Sequence, residues 1–300
     1  MRERVPRAMR GGRLVVAWLV LSASATAFAQ PARNPAAPTP TPSPTPRPRG
    51  AGIGIGTLSW LDRELERAEL PAKTSWQHLR EGDKVRTGDS FRTGADATAR
   101  LEFPWMAVTL GGSSLLTIPA STVLSTVLEQ GRAEFSGEGR DIVKIKVGDG
   151  EVRGGGRLVL RRSVGRTSAA VLAGSFRVRA AGRTVEIKSG EGTVINDGRP
   201  PEAARPLPPP PGGLVPGKDP AYVRAGRPVE LRWAAGPTPY HVELLALDRD
   251  HVLLARDVTT SPLRLELPWR GTYRWRVSAR DGLGIESRPS SEGLICSVER

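Results

Sequence analysis

One cysteine in 300 residues, Cys296, rules out any disulfide within the chain. Its setting, Leu294-Ile295-Cys296-Ser297-Val298, reads as a small apolar strand residue rather than a reactive thiol. Histidine is nearly as scarce. His78, His241 and His251 stand far apart, in no metal-ligand spacing and away from the cysteine, so zinc and Cys–His chemistry find no support. There is no G-x-S-x-G elbow, no H-E-x-x-H and no phosphate-cradling loop. Gly154-Gly155-Gly156 lacks the lysine and hydroxyl that such a loop needs and reads as a turn. Asp141, Asp149 and Glu151 have no calcium-loop spacing. No catalytic, cofactor-binding or metal-binding residues are therefore expected, although a remote carboxylate pair of the kind found in polysaccharide-acting enzymes leaves no sequence signature.

Aromatic residues make up only 5% of the chain and are not interleaved with its basic ones, so base stacking has no platform. The formal charge of +13 shrinks once it is located. Residues 1–29 hold +4 and residues 30–49 a further +3, leaving +6 spread among many acids from Gly50 onward. That pattern confers solubility rather than nucleic-acid recognition.

The chain also lacks an apolar run of spanning length. Its longest, Leu14 to Phe28, has 15 residues, against roughly 20 for a bilayer. The run follows a basic head of Arg2, Arg4, Arg7, Arg10 and Arg13 and ends in Ala27-Phe28-Ala29. Head, short core and small-x-small site form a secretory signal. Cleavage after Ala29 is expected ahead of the alternative, retention of the run as a membrane anchor, and would make Gln30 the mature N-terminus of an exported, periplasmic or surface protein with no remaining membrane span.

Proline is plentiful in two places. Pro31–Pro48 alternates with Thr, Ser and Arg, and Pro200–Pro220 contains Pro208-Pro209-Pro210-Pro211-Gly212-Gly213. Neither composition builds a core, so both read as extended spacers that a protease cuts first. The expected organisation is a signal peptide 1–29, a spacer 30–49, a domain 50–199, a linker 200–220 and a small domain 221–300.

Both domains alternate apolar and polar residues with a period of two, as in Ala97 to Phe103, Val143 to Val147, Phe176 to Arg179, Val229 to Trp233 and Tyr273 to Val277. Glycine pairs punctuate them. Short half-buried strands with glycine turns predict an all-β chain built from sandwich or β-roll domains. Leu61–Glu69 suits a helix by spacing and composition and stays open at this level. Trp233, Tyr273 and Trp275 fall on the apolar faces of the small domain and are its expected core. Lys144/Lys146, Arg177/Arg179 and Arg274/Arg276 read as solvated strand faces, ahead of the alternative of a basic strip for anionic glycan.

The run Trp76-Gln77-His78-Leu79-Arg80-Glu81-Gly82-Asp83-Lys84-Val85-Arg86-Thr87-Gly88 resembles the opening signature of the FecR family. Val108 to Leu115 and then Gly174 to Val178, Gly182, Val185 to Ile187, Gly190 to Val194 and Gly198 to Pro201 follow the rest of that pattern in order. The resemblance implies a strand at Leu61–Glu69 and a periplasmic β domain. Within it, Gly82, Gly88, Gly190 and Gly192 read as backbone devices at turns, and Asp83 with Thr87 as turn formers. A ligand site at Asp83 and Arg86 is the alternative. The family's namesakes carry a membrane helix and relay receptor occupancy to a sigma factor. This chain departs from that plan in having no spanning helix, so the regulator role stands second to that of a non-catalytic binding or scaffold protein for an envelope protein or glycan. The small domain resembles a fibronectin type III-like or immunoglobulin-like sandwich.

Overall fold

A computed structural model of the protein describes residues 53–70, 73–120, 125–137, 143–247, 252–267 and 269–299. The signal residues Ala27, Ala29 and Gln30, the first spacer, Asp141 and His251 lie outside them. The described chain is all-β, and Pro48–Arg300 form one compact unit.

Alternation makes the first lobe. Its sheet runs Arg205–Pro206, Glu191–Asn196, Arg166–Ala180, Gly150–Ser163, Val143–Val147, Thr126–Gly137, Ala107–Leu110, Thr98–Glu102, Gly54–Asp62 and Lys84–Arg86 in spatial order. Leu65–Glu69, Asp89–Thr93 and Leu115–Thr117 pair off this path and help curl the sheet around one core. Leu58, Phe91, Leu101, Phe135, Ile145 and Phe176 are all essentially inaccessible there. The ambiguous Leu61–Glu69 stretch is two strands, Gly54–Asp62 and Leu65–Glu69, separated by Arg63 at φ 71°.

Gly154-Gly155-Gly156 is not a turn. The three lie inside the strand Gly150–Ser163, opposite Phe176, Ser175 and Gly174. A Cβ at Gly154 would come within 2.3 Å of the Ser175 carbonyl, and one at Gly156 within 2.2 Å of that of Ala173. Glycine serves close approach of two backbones here, just before a bulge between Arg157 and Leu158.

The second lobe packs a five-stranded sheet against a two-stranded one. The larger runs Ala221–Arg224, Gly293–Val298, Gly271–Ala279, Tyr240–Ala246 and Val252–Val258, and the smaller pairs Val229–Leu231 with Leu263–Leu265. This strand order is that of an immunoglobulin-like sandwich. Trp233 and Trp275 meet between the sheets at 6.3 Å, and Trp233 meets Tyr240 edge-on at 5.3 Å. The Tyr273 hydroxyl donates to the Trp269 carbonyl at 2.6 Å and accepts from the Trp269 N–H at 3.0 Å. This is the tyrosine corner of such sandwiches, which ties a strand to the bend before it. Cys296 is half-buried beside Thr272 in the last strand.

The Pro200–Pro220 segment is no free linker. Val215 exchanges backbone hydrogen bonds with Arg232, the Gly212 carbonyl accepts from Ala234, and the Pro216 carbonyl accepts from Trp275 Nε1 at 3.0 Å. Pro201 and Pro211 are buried. Proline excludes ladder pairing through its own nitrogen, but its carbonyl and ring remain free to dock, which composition does not reveal. Limited proteolysis should therefore spare the Pro200–Lys218 segment. Early cutting between Pro200 and Lys218 in a digestion time course would contradict this packing.

Candidate functional site

The two lobes meet along the outer face of the large sheet. On one side of the junction, Val159, Ala170 and Val194 of the first lobe close on Ile285 of the second, with Leu207 and Leu283 at the margin. Gly192 lies in the strand Glu191–Asn196 rather than at a turn, and a Cβ there would sit 2.7 Å from both the Ala169 carbonyl and the Ile285 side chain. Ser168 Oγ donates to the Gly284 carbonyl at 2.7 Å. At the far end Trp60 of the first lobe meets Trp269 of the second edge-on at 6.1 Å.

The centre of the junction is ionic. Arg132 is fixed at its backbone, where Ser114 Oγ donates to its carbonyl at 2.9 Å and accepts from its N–H at 3.0 Å. Its guanidinium, 5% exposed, donates through Nε and Nη2 to the two oxygens of Glu286 at 3.1 and 2.8 Å. The same Nη2 lies 3.4 Å from Glu134 and 3.5 Å from Glu243. Glu286 also accepts from Ser278 Oγ at 3.0 Å and lies 3.4 Å from Arg161. Glu243 accepts from Arg276 Nε at 2.6 Å. Asp257 holds both terminal nitrogens of Arg161, at 2.7 and 3.2 Å, and Arg280 at 3.3 Å. His241 is wedged between two carboxylates, Nδ1 at 2.7 Å from Asp257 and Nε2 at 3.3 Å from Glu243.

Four guanidinium groups and four carboxylates from both lobes thus surround one imidazole. Arg276 was expected to point to solvent, but the face it shares with His241 and Glu243 is covered by the first lobe. The strand Tyr240–Ala246 is buried at every position for that reason. Arg274 lies half-buried beside Glu292.

Electrostatics follow from this packing. Burial disfavours the Glu286 carboxylate, yet Arg132, His241 and Arg161 hold its pKa down at about 2. Asp257 lies far below its ordinary value, because its hydrogen bond to His241 and the charge of Arg161 outweigh burial. Burial and Arg132 both oppose a charge on His241, but the hydrogen bond to Asp257 and the nearby carboxylates of Glu243 and Glu286 prevail and raise its pKa above the ordinary imidazole value. The sign is then fixed. A raised folded-state pKa adds stability that is complete below about pH 6.5 and is lost as pH climbs through the folded value. The melting temperature should fall as pH is raised above about 6.5, and His241→Gln should flatten that slope. An unchanged slope in the variant would assign the titration elsewhere.

A cleft of about 810 Å³ opens beside this network, lined by Arg132, Arg161, Arg162, Asp197, His241 and Asp257 among others. Arg162 is held bidentately by Asp197 at 2.8 and 2.6 Å. The carboxylates around His241 are held in the ionised form by their cationic neighbours, and the Ser278 hydroxyl donates to Glu286.

The residues singled out from the sequence lie elsewhere. Gly82 and Gly88 take φ of 89° and 90°, and Gly190 takes 88°, at turns. Asp83 accepts from the Arg80 N–H at 2.8 Å, and Thr87 Oγ1 accepts from the Ile53 N–H at 3.1 Å. The half-buried Arg86 has its N–H bound by Asp89 at 2.8 Å. Their bonds are those of turns. His78 is exposed, 3.2 Å from Glu64, in a three-donor grouping with Glu64 and Glu66. Arg92 already occupies Glu66 there, which opposes a cation.

No family model and no curated protein matches the chain. Among solved structures, a candidate anti-sigma factor from Parabacteroides distasonis ATCC 8503 aligns at 14% identity with a TM-score of 0.35. The alignment covers 39% of this chain, which spans 59% of that protein's length. The FN1–FN3 domains of chicken CNTN1 align at 9% identity with a TM-score of 0.25, over 83% of this chain and 96% of that one. Fold and site together define an all-β, two-lobed protein with an ionic seam. Among the described residues no helix is long and apolar enough to cross a membrane.

Proposed function

We propose that this is a non-catalytic, exported binding or scaffold protein of the bacterial cell envelope, with a FecR-like first lobe and a fibronectin III-like second lobe. The observation that carries this reading is the seam itself. His241, Glu243, Asp257 and Glu286 are the titratable groups gathered here; the three carboxylates are held by Arg132 and Arg161 across the junction, and His241 is held between Glu243 and Asp257. The product of that docking is a single platform, not two modules on a tether. The signal pattern of residues 1–29 supports export, and the order of motifs from Trp76 to Pro201 supports the FecR-like assignment. The test is co-sedimentation of the purified chain with envelope fractions and with peptidoglycan sacculi at low salt, while the supernatant is assayed for released fragments. Retention without release supports the proposal. Failure to pellet with any fraction, or release of soluble sugar, overturns it.

A further inference from the structure

Strand register brings two of the basic pairs noted in the sequence onto one surface. Lys144 pairs with Arg153, Arg153 with Arg177, and Arg177 with Glu186, in one row across four strands. In the next row Lys146 pairs with Glu151, Glu151 with Arg179, and Arg179 with Thr184. Lys188, opposite Ser175, extends the array. The alternate residues Ile145, Val152, Val178 and Ile187 face the core, so all of these charges share the outer face. Six cations stand there against two carboxylates. Glu151 is itself neutralised by Lys144, at 3.3 Å, and by Arg153. Neighbouring rows on a strand face repeat about every 7 Å and neighbouring strands about every 4.8 Å, so the cations form a flat grid.

This grid is the open continuation of the face that the second lobe covers. Along the strand Gly150–Ser163, Arg153 is exposed, Arg157 turns to Glu134, and Val159 and Arg161 lie beneath the sandwich. The exposed large apolar residues, Ile53, Val164, Val215, Tyr222, Leu247, Trp269 and Val298, all lie on other segments. A face with no apolar anchor is poorly suited to insertion into a bilayer. One without aromatic rings gives bases nothing to stack on.

We infer that this face binds a linear acidic polysaccharide, reading repeated carboxylate or sulfate groups through charge. The inference deepens the proposed binding role by naming a ligand class and a surface for it. The probe is alginate, a linear polyuronate, immobilised and challenged with the purified chain, with dextran as the neutral control. The chain should be retained by alginate and not by dextran, and salt should release it. K146Q/R177Q/R179Q should weaken binding by about tenfold, whereas removing the same charge from exposed Arg199, Arg224 and Arg227 should leave it within about twofold. Arg179→Glu alone, at a solvent-facing position, provides the same reading should the triple variant misfold. No retention on alginate overturns the inference, as does equal weakening by both triple variants. Tighter binding to anionic vesicles or single-stranded DNA through the same residues reassigns the face to those partners and overturns it too. Retention on alginate with no pelleting of envelope fractions would sink the envelope role while leaving this surface assignment standing.

Discussion

Arg132→Ala should destabilise the chain by about 3–5 kcal/mol, measured by chemical denaturation at neutral pH. The guanidinium is nearly inaccessible, and so are the carboxylates it leaves behind, Glu243 and Glu286, each 4% exposed at the side chain. Removing one partner strands charges that water cannot reach. Burying ions is itself costly, so the pair as a whole contributes far less than that figure. Arg132→Met combined with Glu286→Met should accordingly recover most of the loss. A protease should report the same event differently. In Arg132→Ala the seam opens, and the Pro200–Pro220 segment becomes cleavable while the wild type stays intact. A single variant as stable as the wild type would mean that the seam is hydrated and its geometry incidental.

Trp275→Ala should have a comparable effect through a different cause. The ring is fully buried, packs on Trp233 and donates Nε1–H to the Pro216 carbonyl. Loss of a buried tryptophan costs about 3–5 kcal/mol, as much as many small domains possess. Because the lobes are docked, one cooperative transition should shift rather than the second lobe melting alone. Trp275→Phe keeps an aromatic ring, loses the Pro216 bond and should cost less, with on the order of 1 kcal/mol assigned to the hydrogen bond. Two separate calorimetric transitions in the wild type would contradict coupling of the docked lobes, and Trp275→Ala would then act on residues 221–299 only.

Much of the architecture is legible in the sequence because it is local. Period-two alternation places Ala97 to Phe103 and Val229 to Trp233 in strands, and the faces of Trp233, Tyr273 and Trp275 follow from the same count. Gly82, Gly88 and Gly190 stand where a left-handed backbone is needed, and short-range pattern suffices to find them. The seam has no such signature. Ion pairs carry no period, and Arg132 and Glu286 are 154 positions apart. The polar residues of the strand Tyr240–Ala246 look like a solvent face until a second lobe covers them. His241 stands alone in the sequence for the same reason, since Asp257 reaches it only once the strands pair. The Pro200–Pro220 stretch misleads because composition reports which ladders are forbidden and not which carbonyls find donors.

The separation between Arg132 and Glu286 also dictates an order of events. A polypeptide is made from its N-terminus, so the strand carrying Arg132 is complete long before Glu286, Ser278 or Ile285 exists. During that interval Val159, Ala170 and Val194 face water, and the Arg132 guanidinium stays hydrated beside Glu134. Docking must wait for the last strands, and it then expels water from charged groups and apolar ones in one step. Until those strands arrive, the flank around Val159, Ala170 and Val194 lacks the cover that Ile285 and Leu283 give it in the folded protein.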